Sequence, residues 1–340
     1  MSELLKNIES FISKEQRFAV ATVIKTWGSA PRPVGSVMLI AENGSMSGSV
    51  SGGCVEGAVV KHAMIVLENN KPQILGFGVT DDEAWLVGLS CGGSISIFIE
   101  PFLSFTDAEM WKILRGCLEK DEGCVLMTKL NQAVNEHILV LPHDIILNKK
   151  DSLETNALRA YNERKSQIIE TLDDNSTWFL NVMPPKNRLI IIGAAHITVD
   201  LVHLAHYFGF DTTVIDPRGI FATKTDFPTP PKNLFIDWPA DILPDLNIDN
   251  YTYSVLLTHD PKIDDQALHI LLKSEVAYIG CLGSKKTHEK RVKRLIDVGF
   301  DEKDIAKIHA PIGMDIHAKT AREIALSIMG ELIKIKNAFL

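Results

Sequence analysis

Residues 189–216 have the sequence LIIIGAAHITVDLVHLAHYFGFDTTVID. The apolar run 189–192 is typical of a strand that is buried on both faces, and apolar residues at helical spacing follow it over 197–208. A second strand, 212–216, completes a β-α-β unit. Strand patterns at 254–259 and 277–281 each precede a helical pattern, so we expect a Rossmann-like, doubly wound parallel sheet.

The residues before this region follow a different pattern. Pro184 and Pro185 predict a boundary between an α+β domain over 1–183 and the Rossmann-like domain over 184–340. The first domain is predicted to open with an amphipathic helix and to contain strands 18–24, 37–41 and 95–100, strands around Val125 and Ile138, and helices 58–67, 109–118 and 153–171. Long loops rich in glycine separate its first strands, and such loops often carry functional sites.

Composition limits the class of protein. The chain has 340 residues, of which 46% are hydrophobic and 23% charged, as is usual for globular proteins. Its net charge of −8 opposes binding to nucleic acid. The longest apolar run, 189–197, is too short to span a membrane, and the N-terminus does not resemble a signal peptide, so we predict a cytoplasmic protein. The five cysteines show no CxxC spacing, which opposes a disulfide framework or a structural zinc site.

The turn after the first strand of the parallel sheet is a candidate binding site. Gly193 to His196 lie where a strand meets a helix, and free N–H groups at a helix start favour a phosphate. Asp216 ends the next strand, where a residue that binds ribose is expected. The dinucleotide fingerprint is incomplete, because Ala195 and Thr198 replace its second and third glycines. A phosphorylated ligand and a purely structural turn both remain open.

Two later strands end in polar residues that belong to the same edge of the sheet. His259 follows one strand, and Ser284 and Lys285 follow the next. The histidine is a candidate for orienting a ligand, and the lysine is a candidate for neutralising a phosphate. A hydrogen-bonded structural histidine and a solvated basic turn are the alternatives.

Two cysteines in the first domain have glycine neighbours. Gly53 and Cys54 precede a predicted helix, whose N–H groups and dipole favour a reactive thiolate, and Cys91 lies in a similar glycine frame. Glycines on both sides indicate close approach of the backbone to a ligand or to another loop. Arg32 lies in a proline-rich turn and suits a phosphate or carboxylate, although bracing of the loop is equally compatible.

Several segments together resemble the XdhC/CoxI family of xanthine dehydrogenase accessory factors. They are TWGSAPRPVGS (26–36), SGSVSGGCVEG (47–57), GLSCGG (88–93), GAAH (193–196), VIDPR (214–218), LLTHDP (256–261), YIGCLGSKK (278–286) and APIGMDIHAKTAREIALSI (310–328). The resemblance implies a factor, more a chaperone than a catalyst, that binds molybdenum cofactor as molybdopterin or its dinucleotide. It also implies help with sulfuration by a cysteine desulfurase and delivery to a xanthine-dehydrogenase-type molybdoenzyme of purine catabolism.

The family's cysteine loops fall on Cys54 and Cys91, and its nucleotide-binding-like turn falls on Gly193 and His196. Ala195 stands where the family usually has glycine. We expect the turn to hold the phosphate end of the cofactor and Cys54 to lie near the molybdenum, with a homodimer as one way to bring both halves to one cleft. The alternatives are an NAD(P)-dependent oxidoreductase with a degenerate fingerprint and a scaffold that binds no small molecule. No catalytic residue is identified.

Overall fold

The computed structural model describes residues 1–30, 32–78, 93–102, 107–130, 136–142, 152–171, 175–219 and 227–338. The chain divides into two units, Met1–Pro185 and Lys186–Leu340. Among the described helices, none has the length and apolar character needed to cross a membrane.

An antiparallel sheet forms the first part of the first unit. Its elements are a 3₁₀ turn (Ser2–Leu4), α1 (Leu5–Ser13), β1 (Phe18–Trp27), β2 (Val37–Ala41), β3 (Met46–Gly48), α2 (Glu56–Asn69), β4 (Gln73–Phe77) and β5 (Ser94–Pro101). The strand order is β3-β2-β1-β5-β4. Helix α2 packs its apolar face, which includes Val59, Ala63 and Val66, against side chains of this sheet. Each fully buried aliphatic side chain contributes about 1.5–3 kcal/mol, so this face fixes the position of α2 on the sheet.

A second antiparallel sheet completes the first unit. Its elements are α3 (Ala108–Lys120), β6 (Cys124–Lys129), β7 (His137–Val140), α4 (Ser152–Asn162), β8 (Gln167–Glu170) and β9 (Thr177–Met183), with strand order β7-β6-β9-β8. Residues of α1, α3 and both sheets form one apolar cluster, in which Phe102 stacks on Phe18 and meets the edge of Trp111. Cys117 and Cys124 are buried in the same cluster.

The prediction of one helix over 153–171 was wrong. Helix α4 ends at Asn162, and Arg164 adopts a left-handed conformation (φ +55°) that cannot continue a helix. Beyond it, Ile168 and Ile169 belong to β8 and pair with Phe179 and Trp178 of β9. Pairing with a strand about ten residues further along overrides the local preference for a helix.

The second unit is a parallel α/β sheet. Its elements are β10 (Arg188–Ile192), α5 (His196–Tyr207), β11 (Asp211–Ile215), β12 (Asn233–Phe235), α6 (Pro239–Ile242), a 3₁₀ turn (Leu243–Asp245), β13 (Thr252–Leu256), α7 (Pro261–Leu271), β14 (Tyr278–Cys281), α8 (Lys285–Asp297), α9 (Glu302–Ile305), β15 (Ile308–His309) and α10 (Ala321–Asn337). The strand order β12-β11-β10-β13-β14-β15 is the 3-2-1-4-5-6 order of a Rossmann fold. The predicted fold class is confirmed.

Helices cover both faces of the parallel sheet. Leu201 of α5 and Ile328 of α10 belong to the apolar cluster on one face, and Leu268 of α7 and Leu295 of α8 belong to the cluster on the other. The order of the strands reverses between β10 and β13. Ligands of such sheets bind outside the carboxyl ends of the strands at this switch point, which directs attention to the loops after β10 and β13.

Candidate functional site

The register of the first sheet brings its glycine-rich loops to one end. Strand β1 finishes at Trp27, which pairs with Ser94, the first residue of β5. Strand β3 finishes at Gly48, beside the start of β2. The loop between β1 and β2, which carries Arg32, and the loop between β3 and α2, which carries Cys54, therefore leave the sheet at the same end.

The carboxylate of Glu56, at the start of α2, organises the loop that contains Cys54. Its Oε1 accepts hydrogen bonds from the Ser49 hydroxyl at 2.7 Å and from the Ser51 N–H at 2.9 Å. Its Oε2 accepts from the Ser51 hydroxyl and from the Gly53 N–H, the latter at 2.9 Å. Four donors therefore converge on one side chain and hold the backbone up to the residue before Cys54.

These bonds also control the charge of Glu56. Burial acts to raise the pKa of this carboxyl group, but the hydroxyls of Ser51 and Ser49 and backbone N–H groups outweigh burial and lower the pKa to about 2. The group is consequently ionised at neutral pH. A negative charge at this position also interacts favourably with the dipole of α2.

Cys54 is half-buried and packs against the apolar cluster beneath α2. A Cβ added at Gly53 would meet no atom of the described residues within 4 Å, so this part of the chain leaves open space beside the backbone next to the thiol. The other cysteines that the structure describes, Cys117, Cys124 and Cys281, are buried. No group of three or more potential metal ligands occurs among the described residues, so the predicted proximity of Cys54 to molybdenum concerns a single thiol.

The second cysteine loop is described only at its end. Cys91 lies outside the described residues. A Cβ added at Gly93 would lie 2.7 Å from the carbonyl oxygen of Trp27 and 3.1 Å from the carbonyl carbon of Ser29. At this position glycine is required because two loops of the chain pack together. Arg32 lies exposed in the same loop as Ser29.

In the second unit, the turn after β10 packs directly on the loop after β13. Gly193 has φ +105°, and a Cβ there would lie 3.0 Å from the Thr258 methyl group and 3.2 Å from its backbone nitrogen. Ala195 caps α5 with φ −79°, an ordinary value for any residue, and makes no side-chain cap. His196 begins the helix and is exposed. Within the described part of the chain, no side chain therefore caps the first N–H groups of α5 at the switch point.

Asp216 is fully buried and fixes the same turn. Its Oδ2 accepts from the Ala194 N–H at 2.8 Å and from the Arg218 guanidinium at 2.9 Å, while its Oδ1 accepts from the Arg218 Nε and backbone N–H, both at 2.9 Å. Burial acts to raise the pKa of Asp216, but these hydrogen bonds lower it. Four donors occupy its two oxygens, so a ribose hydroxyl has to displace one of them. Its contact with a cofactor stays a prediction.

His259 and Ser284 line one cavity of about 220 Å³. His259 is exposed and has φ +59°, and the Ser284 hydroxyl caps α8 by accepting from the Thr287 N–H at 3.2 Å. Lys286 contributes to the lining, whereas the predicted Lys285 is an exposed residue at the start of α8. The structure thus brings two of the predicted residues together beside the ends of β13 and β14.

Two family models match the chain. The model described as the XdhC Rossmann domain matches residues 189–332, and the model described as the XdhC and CoxI family matches residues 11–78. The chain belongs to the XdhC and CoxI family. The matched ranges contain Arg32, Cys54 and the Gly193 turn, whereas Cys91 lies between them.

Relatives resemble this XdhC/CoxI chain over nearly its whole length. A protein of Bacillus subtilis that is named as a probable xanthine dehydrogenase component is 25% identical over 97% of this chain and 96% of its own. The molybdenum cofactor insertion chaperone PaoD of Escherichia coli is 25% identical over 93% of this chain and 83% of its own. A crystal structure described as a xanthine dehydrogenase from Bacillus halodurans is 28% identical, with a TM-score of 0.70 over 98% of this chain and 96% of that one.

Sequence reasoning missed three residues of these sites. Glu56 stands three residues after Gly53 at a predicted helix start, a spacing that resembles a capping box. Arg218 lies two residues after Asp216, and nothing in that spacing alone indicates that the two side chains pair. Arg291 lines the same cavity as His259. It precedes Leu295 by four residues, and these two are the buried residues of α8. The position of this arginine on the apolar side of a predicted helix was the only sign in the sequence that its side chain is buried.

Proposed function

We propose that this member of the XdhC and CoxI family is an accessory factor that binds molybdenum cofactor as cargo, supports its sulfuration and delivers it to a xanthine-dehydrogenase-type molybdoenzyme. The relative PaoD is named as a molybdenum cofactor insertion chaperone, and the Bacillus relatives are named for xanthine dehydrogenase. We assign no catalytic residue to this chain.

The loop around Cys54 carries the proposal. A thiol that receives a metal-containing cargo needs access from solvent and a backbone that is already ordered, because an ordered loop loses less entropy on binding. Cys54 has the first property through the open space at Gly53, and the second through the hydrogen bonds that Glu56 accepts. We assign to this thiol the contact with the molybdenum end of the cofactor.

The phosphate end is assigned to the turn after β10. The start of α5 offers N–H groups without a side-chain cap, and the positive end of the helix dipole favours an anion. Ala195 has an ordinary backbone conformation, so its methyl group introduces no strain into the turn itself. Arg218 lies near this turn because Asp216 binds it and Ala194 together, and its charge is paired with that carboxylate.

The alternative of an NAD(P)-dependent oxidoreductase receives less support. A dinucleotide site uses the acid at the end of the second strand to bind the ribose. In this chain the carboxylate of Asp216 is buried and engaged by four donors. The Rossmann strand order alone does not distinguish nucleotide binding from another use of the same fold.

Retention of released cofactor tests the proposal. The purified protein is mixed without oxygen with freshly released molybdenum cofactor, and molybdenum and pterin are measured after gel filtration, with NADH in a parallel run. We expect the wild-type protein to retain cofactor and the Cys54→Ser variant to lose it. The Cys117→Ala variant is the matched control, because Cys117 is buried in a helix of the same unit. Full retention by Cys54→Ser rejects the assigned role of this thiol, and retention of NADH alone favours the oxidoreductase.

The roles in sulfuration and delivery need separate measurements. Loaded protein is incubated with a cysteine desulfurase and labelled cysteine, and labelled sulfur on the cofactor is counted. The product is then added to a cofactor-free molybdoenzyme, whose recovered activity reports delivery. A protein that binds both partners equally well with and without Cys54, and retains no cofactor, is a scaffold. The mass in solution, with and without cargo, tests the expected homodimer.

A further inference from the structure

The cavity beside the ends of β13 and β14 has an unusual lining. It lies between the start of α7 and one side of α8, and its volume is about 220 Å³. Lys286, Lys290 and Arg294 follow one another at four-residue spacing along α8 and therefore line one side of it. His259 and the Ser284 and Thr287 side chains also reach the cavity.

Arg291 is the decisive residue of this cavity. Its side chain is 3% exposed, and its Nη2 donates to the carbonyl oxygen of Leu282 at 3.1 Å. Its Nε and Nη1 are buried and have no hydrogen-bond partner among the described residues. Buried donors of a charged group are almost always satisfied, so two unpaired ones on a residue that lines a cavity indicate a missing acceptor.

An anion with several oxygens is the acceptor that fits these donors. A guanidinium binds phosphate through two parallel N–H groups, and the neighbouring lysines and hydroxyls add charge and donors around it. A cavity of about 220 Å³ has room for a phosphate group. We infer that this cavity is a phosphate-binding site, in which Arg291 binds the anion and Lys286 and Lys290 complete its neutralisation.

Two carboxylates near the cavity offset the charge of its arginines, so the net positive charge comes from the lysines. Asp265 accepts two hydrogen bonds from Arg294, at 2.6 and 2.9 Å, and this arginine therefore contributes little to the site. Asp264 also lines the cavity; its Oδ1 accepts from the Thr258 hydroxyl at 2.6 Å, and its Oδ2 forms a buried ion pair with Arg291, 3.7 Å from Nη2. Lys286 and Lys290 remain as exposed charges that face no such partner among the described residues.

This cavity neighbours the turn assigned above to the phosphate end of the cofactor, because Gly193 lies against Thr258, the residue before His259, but its lining residues are different. The earlier assignment rests on the start of α5, whereas this cavity lies between α7 and α8. The inference goes beyond the proposed function and does not depend on it. Inorganic phosphate is the probe, so the result is independent of any cofactor.

Titration of the full-length protein with inorganic phosphate, followed by ³¹P NMR and calorimetry in a phosphate-free buffer, tests the inference. We expect a saturable phosphate site whose affinity falls about tenfold or more in Arg291→Met and about two- to fivefold in Lys286→Gln and in Lys290→Gln. Lys293→Gln is the matched control, because Lys293 is an exposed lysine of the same helix outside the cavity lining. Its affinity should equal that of the wild type.

The variants distinguish a specific phosphate site from non-specific binding of phosphate to the basic surface of α8. Arg291→Lys keeps the charge without the planar fork and should also weaken binding, which guards against loss of folding in Arg291→Met. The inference is overturned by an absence of saturable binding in the wild-type protein. It is equally overturned if folded Arg291 variants bind as the wild type does, or if Lys293→Gln loses as much affinity as Lys286→Gln. Cofactor retention, measured in parallel, reports on the proposed function alone.

Discussion

The Gly53 N–H donates a hydrogen bond of 2.9 Å to the Glu56 carboxylate, directly before Cys54 in the chain. Replacing Glu56 with Gln removes one anionic acceptor and places an amide N–H₂ among hydrogen-bond donors. We expect Glu56→Gln to lower the free energy of unfolding by about 1–3 kcal/mol and to accelerate hydrogen exchange of residues 49–55. Glu68→Gln, at an exposed position of the same helix, is the control. Equal exchange rates in the two variants contradict the role of Glu56.

Low pH should remove the contribution of Glu56 to the free energy of unfolding. Its pKa in the folded protein is about 2, below the ordinary 4.5, because the hydrogen bonds from serine and backbone donors outweigh burial. A lowered pKa stabilises the fold fully above pH 4.5, and this contribution is lost as the pH falls towards 2. The difference in unfolding free energy between wild type and Glu56→Gln, measured by urea titration, should therefore shrink from pH 6 to about pH 3. At about pH 3 the carboxyl group is protonated in the unfolded chain, whereas it is still mostly ionised in the folded protein. A constant difference contradicts this prediction.

Asp216 should act mainly by holding the Gly193 turn. Asp216→Asn removes the charge from a buried acceptor of four hydrogen bonds, so we expect a loss of about 2–4 kcal/mol in unfolding free energy. Asp237→Asn, at an exposed position of the same unit, should have little effect. If Asp216→Asn leaves stability unchanged but weakens binding of a nucleotide, the carboxylate serves the ligand and not the turn.

The parallel sheet could be predicted from sequence because its signals are local. An unbroken apolar strand, a glycine turn and a helix of the right period identify β10 and α5, and the Thr-x-x-Glu spacing of Thr320 and Glu323 forms a capping box at the start of α10. Strand β8 was missed because its pairing with β9 is not visible in a short window. The three-residue β12 carries too few residues for a pattern to emerge.

The loops that carry the candidate sites could be predicted from the sequence, but the side-chain contacts within them could not. The glycines around Cys54 and at Gly193 pointed to these loops, because glycine is used where the backbone adopts conformations that other residues avoid. The partners that decide chemistry, such as Arg218 for Asp216, depend on side-chain directions that the sequence does not give. Burial of Arg291 with unpaired donors is likewise a property of the packed structure.

A buried ion pair in the first unit should respond to pH with the opposite sign from Glu56. The His137 Nε2 lies 2.9 Å from the Glu100 carboxylate, beside a cavity of about 20 Å³. Burial acts to lower the pKa of His137, but the hydrogen bond and charge of Glu100 outweigh it and raise the pKa. The resulting stability is fully present below pH 6.5, the ordinary pKa, and is lost as the pH rises through the raised pKa.

The variant His137→Gln keeps a neutral donor and removes the titration. Its deficit in unfolding free energy relative to the wild type should be largest near pH 6 and should decrease towards pH 9, about 2.5 units above the ordinary histidine pKa. His62→Gln is the control, because the His62 Nδ1 lies 2.8 Å from the neutral Gln73 side chain. A deficit that grows with pH contradicts the raised pKa.

Cys54 should be the most reactive of the cysteines that the structure describes. It is half-buried with open space at Gly53, whereas Cys117, Cys124 and Cys281 are buried. Short treatment of the native protein with an alkylating reagent, followed by mass spectrometry of peptides, should label Cys54 well before these three. Glu56→Gln should change the rate at Cys54 and leave the rate at Cys281 unchanged, since Cys281 belongs to the other unit. Bound molybdenum cofactor should protect Cys54 if the thiol contacts the cargo. Unchanged labelling in a protein that retains cofactor places the molybdenum end elsewhere, because a thiol in contact with a ligand is not accessible to the reagent.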